Sequence, residues 1–173
     1  MPFFDNIQQD WKANKGNTKG KLIILLFRIC AAVSSNKFTR IIFIPYIVFY
    51  KLFVEWVLGL EIPGTTKIGK GFQIYHGQAT IIHKNAVIGE FCVLRQCTTI
   101  GTSSVNGECP VIGSKVDIGC NVCIIGPVIV GDNVTIGAGT VITKDVPCNC
   151  IVVGNPARVI KKPELEISLN YTP

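Results

Sequence analysis

The chain has 173 residues, which suits one globular domain or a domain with an appendage. Its net charge of +6 is concentrated at the start, because residues 1–60 hold eight Lys or Arg and three Asp or Glu. These basic residues are not interleaved with aromatic ones as in single-strand binders, so no nucleic-acid partner is expected. A basic and apolar start favours an anionic membrane surface, or a solvated face with no partner.

Residues 1–60 are predicted to form an α-helical N-terminal segment. A polar start is followed by an apolar helix over residues 20–33 and by a second apolar run from Ile41 to Leu60. Lys51 and Glu55 interrupt that second run one helical turn apart, and such charges are costly at a bilayer centre. We therefore expect a helix that packs on protein or lies in the membrane interface, rather than a transmembrane span.

From residue 61 the apolar period becomes six. Nine of ten positions at this spacing are aliphatic, and most are followed by Gly and preceded, two residues earlier, by a small or β-branched residue. The ten positions are Ile88, Leu94, Ile100, Asn106, Ile112, Ile118, Ile124, Val130, Ile136 and Ile142. A repeat of this length is typical of a solenoid whose coils satisfy each other's backbone groups.

Each hexapeptide is interpreted as a short strand and a turn, and three of them close one triangular coil. The aliphatic and the small residue point inward, and Gly follows at the corner, where a positive φ can be required. This interpretation divides the chain into the helical segment, a coil domain of four to five coils over residues 61–162, and a C-terminal tail over 163–173.

Two irregularities in the repeat indicate functional positions. Residues 102–110 are polar and place Asn106 in a core phase, so a loop is expected to leave the solenoid there. Upstream, the phase is shifted by a two-residue insertion around His76. Loops on rigid scaffolds commonly carry binding residues.

The repeat resembles that of the hexapeptide-repeat acyltransferases, and three segments strengthen the likeness. Residues 60–71 resemble the entry coil of serine O-acetyltransferases, Ile74-Tyr75-His76-Gly77 resembles their catalytic segment, and residues 153–160 resemble the closing motif of the superfamily. The helical start and Tyr75-His76-Gly77 are more similar still to colanic acid and capsule acetyltransferases. The resemblance implies a mainly β fold, a left-handed parallel β-helix, with acetyl-CoA as co-substrate and a homotrimer as the assembly.

The resemblance also implies the catalytic groups. Acetyl transfer to a hydroxyl needs a base, and His suits the role because its side chain ordinarily titrates near neutrality. His76 is expected to be that base, and Glu61 is expected to orient it, in the place of an Asp of serine acetyltransferases. A surface role for Glu61 stays open.

Further residues are expected to bind acetyl-CoA. A backbone N–H near Gly101 and Thr102 is the expected oxyanion donor. The family binds CoA in a groove between neighbouring subunits, where Ala138 would leave room for pantetheine. Thr143, Lys144 and Arg158 resemble positions that meet CoA phosphates in sugar acetyltransferases, although Lys144 alone is equally typical of a solvated charge.

Tyr75, His83 and Arg95 are expected on the acceptor side, and a plain surface position is the open alternative for His83. Serine acetyltransferases carry Arg-His-Pro where this chain has Glu108-Cys109-Pro110, and an Asp where it has Tyr75. These departures favour a sugar hydroxyl in capsular or exopolysaccharide biosynthesis, with serine O-acetylation for cysteine biosynthesis as the alternative. A non-catalytic β-helix scaffold is the third hypothesis.

The eight Cys residues are expected to be reduced thiols, because no secretory signal precedes them. The expected location is the cytoplasm, either free or at the inner face of the cell membrane. Cys120 and Cys123 with Cys148 and Cys150 have the spacing of a zinc site. The repeat phase opposes this, since it places Cys148 inward and the first pair outward. No metal is expected, and Cys109 as a nucleophile is a weak alternative.

Overall fold

A computed structural model describes residues 3–161, and the tail predicted at 163–173 lies outside these residues. Four helices come first: α1 (Phe3–Gln8), α2 (Thr18–Ser34), α3 (Lys37–Ile42) and α4 (Ile44–Tyr50), followed by a π-helical segment over Lys51–Val57. The remaining elements are short strands, in chain order β1 Leu60–Glu61, β2 Lys67–Ile68, β3 Gln73–Ile74, β4 Thr80–Ile82, β5 Val87–Ile88, β6 Val93–Leu94, β7 Thr99–Gly101, β8 Val111–Ile112, β9 Asp117–Ile118, β10 Cys123–Ile125, β11 Ile129–Val130, β12 Thr135–Ile136, β13 Val141–Ile142, β14 Cys150–Val153 and β15 Arg158–Lys161.

The strands form three sheets, and the chain visits them in rotation. Sheet A has the order β1-β4-β7-β10-β13, sheet B has β2-β5-β8-β11, and sheet C has β3-β6-β9-β12-β14-β15. Every strand pair is parallel except β14 with β15. This confirms the predicted mainly β fold as a parallel β-solenoid of about five turns, behind an N-terminal helical region. The left-handed sense of the coil stays a prediction.

The strand register locates both irregularities that the sequence indicated. Ile81 pairs with Thr99, so a regular coil spans three hexapeptides. Glu61 pairs with Ile81, which makes the coil around His76 longer than three hexapeptides by the predicted insertion. Ile88 pairs with Ile112, so the coil that contains the loop at 102–110 spans four hexapeptides. Because the loop adds six residues, which is one whole repeat, the inward positions after the loop stay in step with those before it.

The inward positions of the repeat form the core, as predicted. The nine aliphatic residues from Ile88 to Ile142 are at most 2% exposed, whereas Asn106 lies exposed in the loop. The small residues two positions earlier are also buried, with Ser104 of the loop as the exception. Each fully buried aliphatic side chain contributes about 1.5–3 kcal/mol, so the stacked coils supply most of the stability.

The repeated Gly residues have a different cause from the one expected. Gly89 and Gly113 do not adopt a positive φ. A Cβ at Gly89 would lie 2.5 Å from the backbone of Gly113, and one at Gly113 would lie 2.5 Å from the Asp132 side chain. Gly is required at this corner because successive coils approach each other closely, while residues such as Lys115 and Asn133 take the positive φ.

The last coil corrects the prediction for the Cys pairs. Ile136 pairs with Val152, so this coil is shorter than the three hexapeptides of a regular one. The inward phase therefore moves, and Cys150 is buried whereas Cys148 is exposed. Among the described residues, no group of three or more His, Cys, Asp or Glu has the geometry to hold a metal ion.

The second apolar run of the helical segment is broken rather than continuous. Phe43 separates α3 from α4, and Pro45 lies in the first turn of α4, where its missing N–H costs no helical hydrogen bond. In the described part of the chain, no helix has the length and apolarity that crossing a membrane requires.

The helical segment covers the first coil through polar contacts. Arg28 and Asp10 form a buried ion pair at 2.7 Å, and Arg28 also donates to the carbonyl oxygens of Ile68 and Gly69 at 2.8 and 2.6 Å. Asp10 accepts the Phe72 N–H at 2.8 Å. These side chains replace the missing coil at the open end of the solenoid, where backbone groups would otherwise stay unpaired.

Candidate active site

Two of the three solenoid corners carry the predicted site residues. The CA edge is the corner between sheets C and A, and the AB edge is the corner between sheets A and B. The CA edge holds His76, Cys97, Cys120 and Ala138 in successive coils, and backbone hydrogen bonds such as Gly139 N–H to the Cys120 carbonyl at 2.9 Å connect them. The AB edge holds His83, the loop at 102–110, and Thr143 with Lys144.

His76 lies on the CA edge of the first coil, in the two-residue insertion. Its φ of 65° is in the left-handed region, which is uncommon for a residue other than Gly, and its side chain is exposed. The turn is fixed on both sides. The Gly77 N–H donates to the Tyr75 carbonyl at 2.8 Å, and a Cβ at Gly77 would lie 2.7 Å from Leu60. The fold therefore presents an imidazole to solvent from a constrained turn.

A cation stands near this turn. With its amide oriented to satisfy both neighbours, Gln78 donates to the His76 carbonyl oxygen at 3.3 Å and accepts from Lys19 Nζ at 3.1 Å. Lys19 belongs to the first turn of α2, which Asn17 caps by accepting the Gly20 N–H at 2.9 Å. The N-terminus of a 17-residue helix thus lies beside His76 and makes this corner electropositive.

Glu61 lies on β1, next in sequence to the Leu60 that supports the His76 turn. Among the described residues, however, its carboxylate forms no ion pair with His76. It lines a cleft of about 290 Å³ with Arg40, Lys51 and Glu55. Burial raises the pKa of Glu55, and the Glu61 carboxylate raises it further, while Lys51 acts in the opposite direction. The role of Glu61 in orienting the base stays a prediction.

Tyr75 and Arg95 occupy neighbouring coils at the start of the CA edge. The Tyr75 N–H donates to the Leu94 carbonyl at 2.8 Å, which places the two side chains in adjacent rows. Arg95 forms an ion pair with Asp117, and its guanidinium is about four-tenths exposed. Both residues therefore lie within one coil of His76, and their role on the acceptor side stays a prediction.

His83 belongs to the AB edge and faces the loop. It lines a second cleft of about 290 Å³ with Thr102, Asn106 and Gly107 among its neighbours. Its Nδ1 accepts the Asn85 N–H at 3.2 Å, and the Cys109 Sγ lies 2.9 Å from the same atom.

These contacts indicate the tautomer of His83. A backbone N–H can only donate, so Nδ1 carries no proton and the proton is on Nε2. The Cys109 thiol is then a second donor to Nδ1. Burial raises the pKa of Cys109, which keeps the thiol protonated. The pair suits hydrogen bonding by Nε2–H better than nucleophilic attack by Cys109.

Gly101 and Thr102 begin the loop beside His83. A Cβ at Gly101 would meet nothing closer than the His83 Cβ at 3.9 Å, so the backbone here is open to a ligand. The Thr102 hydroxyl is used within the loop, because it accepts the Ser104 N–H at 2.9 Å and contacts the Ser104 carbonyl. The side chain of Thr102 therefore shapes the loop.

The residues expected at CoA phosphates lie near the C-terminal end of the solenoid. Thr143 and Lys144 line a cleft of about 220 Å³ with Pro156 and Ala157, and Arg158 follows on the antiparallel strand β15. Lys144 and Arg158 are exposed, so their charges are available to an anion. Ala138 lies instead on the CA edge, exposed between Gly137 and Gly139.

Sheet A separates the two groups of predicted residues within one chain. His76 and Ala138 lie on one side of it, and Thr102 and Lys144 lie on the other, where Gly101 ends β7. A base and an oxyanion donor must both reach one acetyl group, within a few ångströms.

Comparisons with known proteins agree with this architecture. The family described as bacterial transferase hexapeptide (six repeats) matches residues 109–144. The chain is 37% identical over 156 residues to the putative colanic acid biosynthesis acetyltransferase WcaB of Escherichia coli, covering 87% of this chain and 96% of that protein. The chain belongs to the hexapeptide-repeat acetyltransferases.

Serine acetyltransferases are also similar to this hexapeptide-repeat acetyltransferase. The Synechococcus elongatus enzyme is 36% identical over 104 residues, which cover 59% of this chain and 43% of that enzyme. The Neisseria gonorrhoeae serine acetyltransferase has a TM-score of 0.82 at 25% identity, covering 98% of this chain and 70% of that chain. The protein is therefore an acyltransferase, and its family implies acetyl-CoA as co-substrate.

Sequence reasoning missed several residues of this acetyltransferase that the structure brings to the site. Lys19 and Gln78 support the His76 turn, and Asn85 orients His83. Gln96 lies one coil from His76, and its buried Oε1 has no partner among the described residues. Cys109 and His83 are distant in sequence, and only the length of the loop, one whole repeat, could have suggested their contact.

Proposed function

We propose that this enzyme transfers acetyl from acetyl-CoA to a sugar hydroxyl in capsular or exopolysaccharide biosynthesis, with His76 as general base. The observation that carries the proposal is the match to WcaB, which spans 96% of a protein named for colanic acid biosynthesis. The loop supports it: Cys109 stands where serine acetyltransferases carry a His, and it is engaged with His83 rather than free.

The transfer is direct. The His76 imidazole takes the proton of the sugar hydroxyl as its oxygen attacks the acetyl carbonyl carbon. The oxyanion that forms accepts a backbone N–H near Gly101 and Thr102. When the intermediate collapses, the C–S bond breaks, and the CoA thiolate takes the proton from the imidazolium. Thr143, Lys144 and Arg158 hold CoA phosphates, and Ala138 leaves space for pantetheine.

This mechanism requires more than one subunit. The CA edge of one protomer brings His76 and Ala138, and the AB edge of a neighbour brings Gly101, Thr102 and Lys144. Three protomers related by a three-fold axis satisfy this at three equivalent sites, so the proposed assembly is a homotrimer. Light scattering is expected to give three times the chain mass of 18.8 kDa.

Serine O-acetylation is the second candidate, favoured by the similarity of the solenoid to serine acetyltransferases. Two residues stand against it. Tyr75 replaces the Asp that helps those enzymes hold the serine amine, and the Tyr75 hydroxyl contacts Gln73 at 3.3 Å. Cys109 replaces their loop His. The Tyr75 phenol offers no negative charge to an ammonium group, and it can hydrogen-bond to a sugar hydroxyl.

The test is release of free CoA thiol from acetyl-CoA, measured with L-serine and with a panel of nucleotide sugars and oligosaccharides. Release with a glycan and none with serine supports the proposal. Turnover of serine alone would replace it with the second candidate. The His76→Ala variant is expected to lose about 10²–10⁴-fold in kcat, the usual contribution of a general base.

Lys115→Ala is the matched control for that variant. Lys115 has a φ of 58°, close to that of His76, but it lies on the corner between sheets B and C. It reports the cost of placing Ala in a left-handed conformation without touching the base. Unchanged turnover in His76→Ala, with both variants folded, would mean that His76 is not the general base.

A further inference from the structure

Helices α3 and α4 with the π-helical segment present an apolar surface to solvent. Ten large hydrophobic residues of this segment are between 46% and 77% exposed, which is a large number for one short segment of a folded protein. We call them the apolar helical face: Phe38, Ile41, Ile42, Phe43, Ile44, Val48, Phe49, Leu52, Trp56 and Val57.

The segment that carries this face is fixed to the solenoid. Tyr50 and Val54 are buried, and the Tyr50 hydroxyl donates to the Ile62 carbonyl at 2.7 Å. Phe49 and Phe53 stack with ring centroids 5.6 Å apart. The exposed side is therefore the outer side of a packed element.

The charges around the face are mainly positive. Lys37, Arg40 and Lys51 are exposed, and Glu55 is the one acid between residues 37 and 57. Apolar side chains bordered by cations complement a layer of anionic headgroups above hydrocarbon.

We propose that the apolar helical face docks the enzyme on the surface of an anionic lipid bilayer, with Trp56 and Phe38 inserted and Lys37, Arg40 and Lys51 at the headgroups. The docking itself does not depend on the acceptor. Its consequence does rest on the proposed function: the cleft of Arg40, Lys51, Glu55 and Glu61 would face a lipid-linked glycan.

A second copy of the chain fits this face less well. Two apposed faces would bring six cations together against four acids, Glu55 and Glu61 from each copy, and burying the excess of like charges is costly. At an anionic lipid surface, the cations meet headgroups of opposite charge and the apolar side chains meet hydrocarbon. The helices lie on the bilayer, since none of the described ones could span it.

The two Trp residues of the chain allow a direct test. Trp56 is 77% exposed within the face, while Trp11 lies on the α1–α2 side with Lys21 5.9 Å from its ring. In Trp11→Phe, the fluorescence of Trp56 is expected to shift to the blue when phosphatidylcholine vesicles containing phosphatidylglycerol are added. In Trp56→Phe, the fluorescence of Trp11 is expected to stay unchanged.

Co-sedimentation with the same vesicles measures the affinity. Replacing Lys37, Arg40 and Lys51 by Ser is expected to weaken binding about a hundredfold, because each cation near an anionic surface contributes about fivefold. Phe38→Ser with Trp56→Ser is expected to abolish it. Ile129→Ser is the control, since Ile129 is 59% exposed but lies on the solenoid.

Several results would overturn the proposal: no binding to anionic vesicles at low ionic strength, equal binding to vesicles of phosphatidylcholine alone, or equal loss in Ile129→Ser. A fall in oligomer mass in the Phe38 and Trp56 variant, without vesicle binding by the wild type, would assign the face to contact between copies. CoA release with a water-soluble acceptor tests catalysis separately.

Discussion

Large apolar side chains are buried in the solenoid but exposed in the helical segment. In the solenoid, Ile100 and Ile118 are fully buried because each coil covers the next. In the helical segment, Phe38 and Trp56 are more than two-thirds exposed. A coil within the repeat is packed between the coil before it and the coil after it, whereas helices at one end of the stack have a neighbour on one side only. Apolar content alone therefore does not separate a core from a docking surface, but the period of the pattern does.

The largest effect is expected where the two regions meet. Asp10→Ala removes the partner of Arg28 and the acceptor of the Phe72 N–H, and it leaves a guanidinium buried without a counter-charge. The free energy of unfolding is expected to fall by about 3–5 kcal/mol, measured by urea denaturation.

An exposed ion pair provides the control for this junction. Glu90 lies 3.4 Å from Lys70, and both side chains are 47% exposed. Glu90→Ala is expected to cost less than about 1 kcal/mol. Equal losses in the two variants would mean that the helical segment does not depend on the buried pair to cover the first coil.

Within the solenoid, the close approach of coils gives the next effect. A Cβ at Gly89 would overlap the backbone of Gly113, which cannot move aside easily, so Gly89→Ala is expected to lower the free energy of unfolding by about 1–3 kcal/mol. Gly101→Ala meets open space and is expected to change it by less than about 0.5 kcal/mol. Thermal denaturation of both variants compares them, and a larger loss at Gly101 would contradict the packing explanation.

The sequence predicted the solenoid because one aliphatic residue every six positions has few structural meanings. It also located the loop at 102–110 and the insertion at His76, since both disturb that period. It predicted that Gly89 is needed for a positive φ, whereas the structure shows that Gly89 is needed because successive coils approach closely. A hexapeptide pattern does not show how closely the coils approach. It placed Cys148 inside, because the period of six was continued past Ile142, whereas the inward residues after Ile142 are Val146 and Val152.

The site was predicted less completely than the fold. His76 was found through its motif, and the structure adds that its turn is constrained and exposed. The contact between His83 and Cys109 depends on how the loop returns to the solenoid, and no local pattern encodes that path. The arrangement of His76 and Lys144 on separate edges follows from the coil length, which fixes the corner that each residue occupies.

The loop is expected to give a smaller effect than either stability change. Cys109→Ala removes one of the two donors to His83 Nδ1 and loosens the ring that faces the cleft. With a glycan acceptor, KM is expected to rise about two- to tenfold while kcat changes little, which corresponds to one hydrogen bond. Steady-state kinetics at saturating acetyl-CoA measures the two constants separately.

Cys109→Ser distinguishes the hydrogen bond from the shape of the residue. The hydroxyl of Ser keeps a donor at this position, so the KM is expected to return close to that of the wild type. If Ser and Ala raised KM equally, the contact with His83 would have no part in acceptor binding. A loss in kcat with unchanged KM would instead give Cys109 a role in the chemical step.

The smallest effect is expected in the helical segment, at Glu55. Burial, with Glu61 nearby, raises the pKa of Glu55 in the folded protein, so its ionised form costs folding free energy. That cost is complete above the raised pKa and absent below the ordinary pKa of Glu, about 4.3. Glu55→Gln should therefore be more stable than the wild type at neutral pH, by less than about 1 kcal/mol, and equal to it in acid. Glu108→Gln, at an exposed loop position, controls for the change in net charge. A less stable Glu55→Gln at neutral pH would mean that the attraction of Lys51 outweighs burial, and that the cations around the apolar helical face are better balanced than their number indicates.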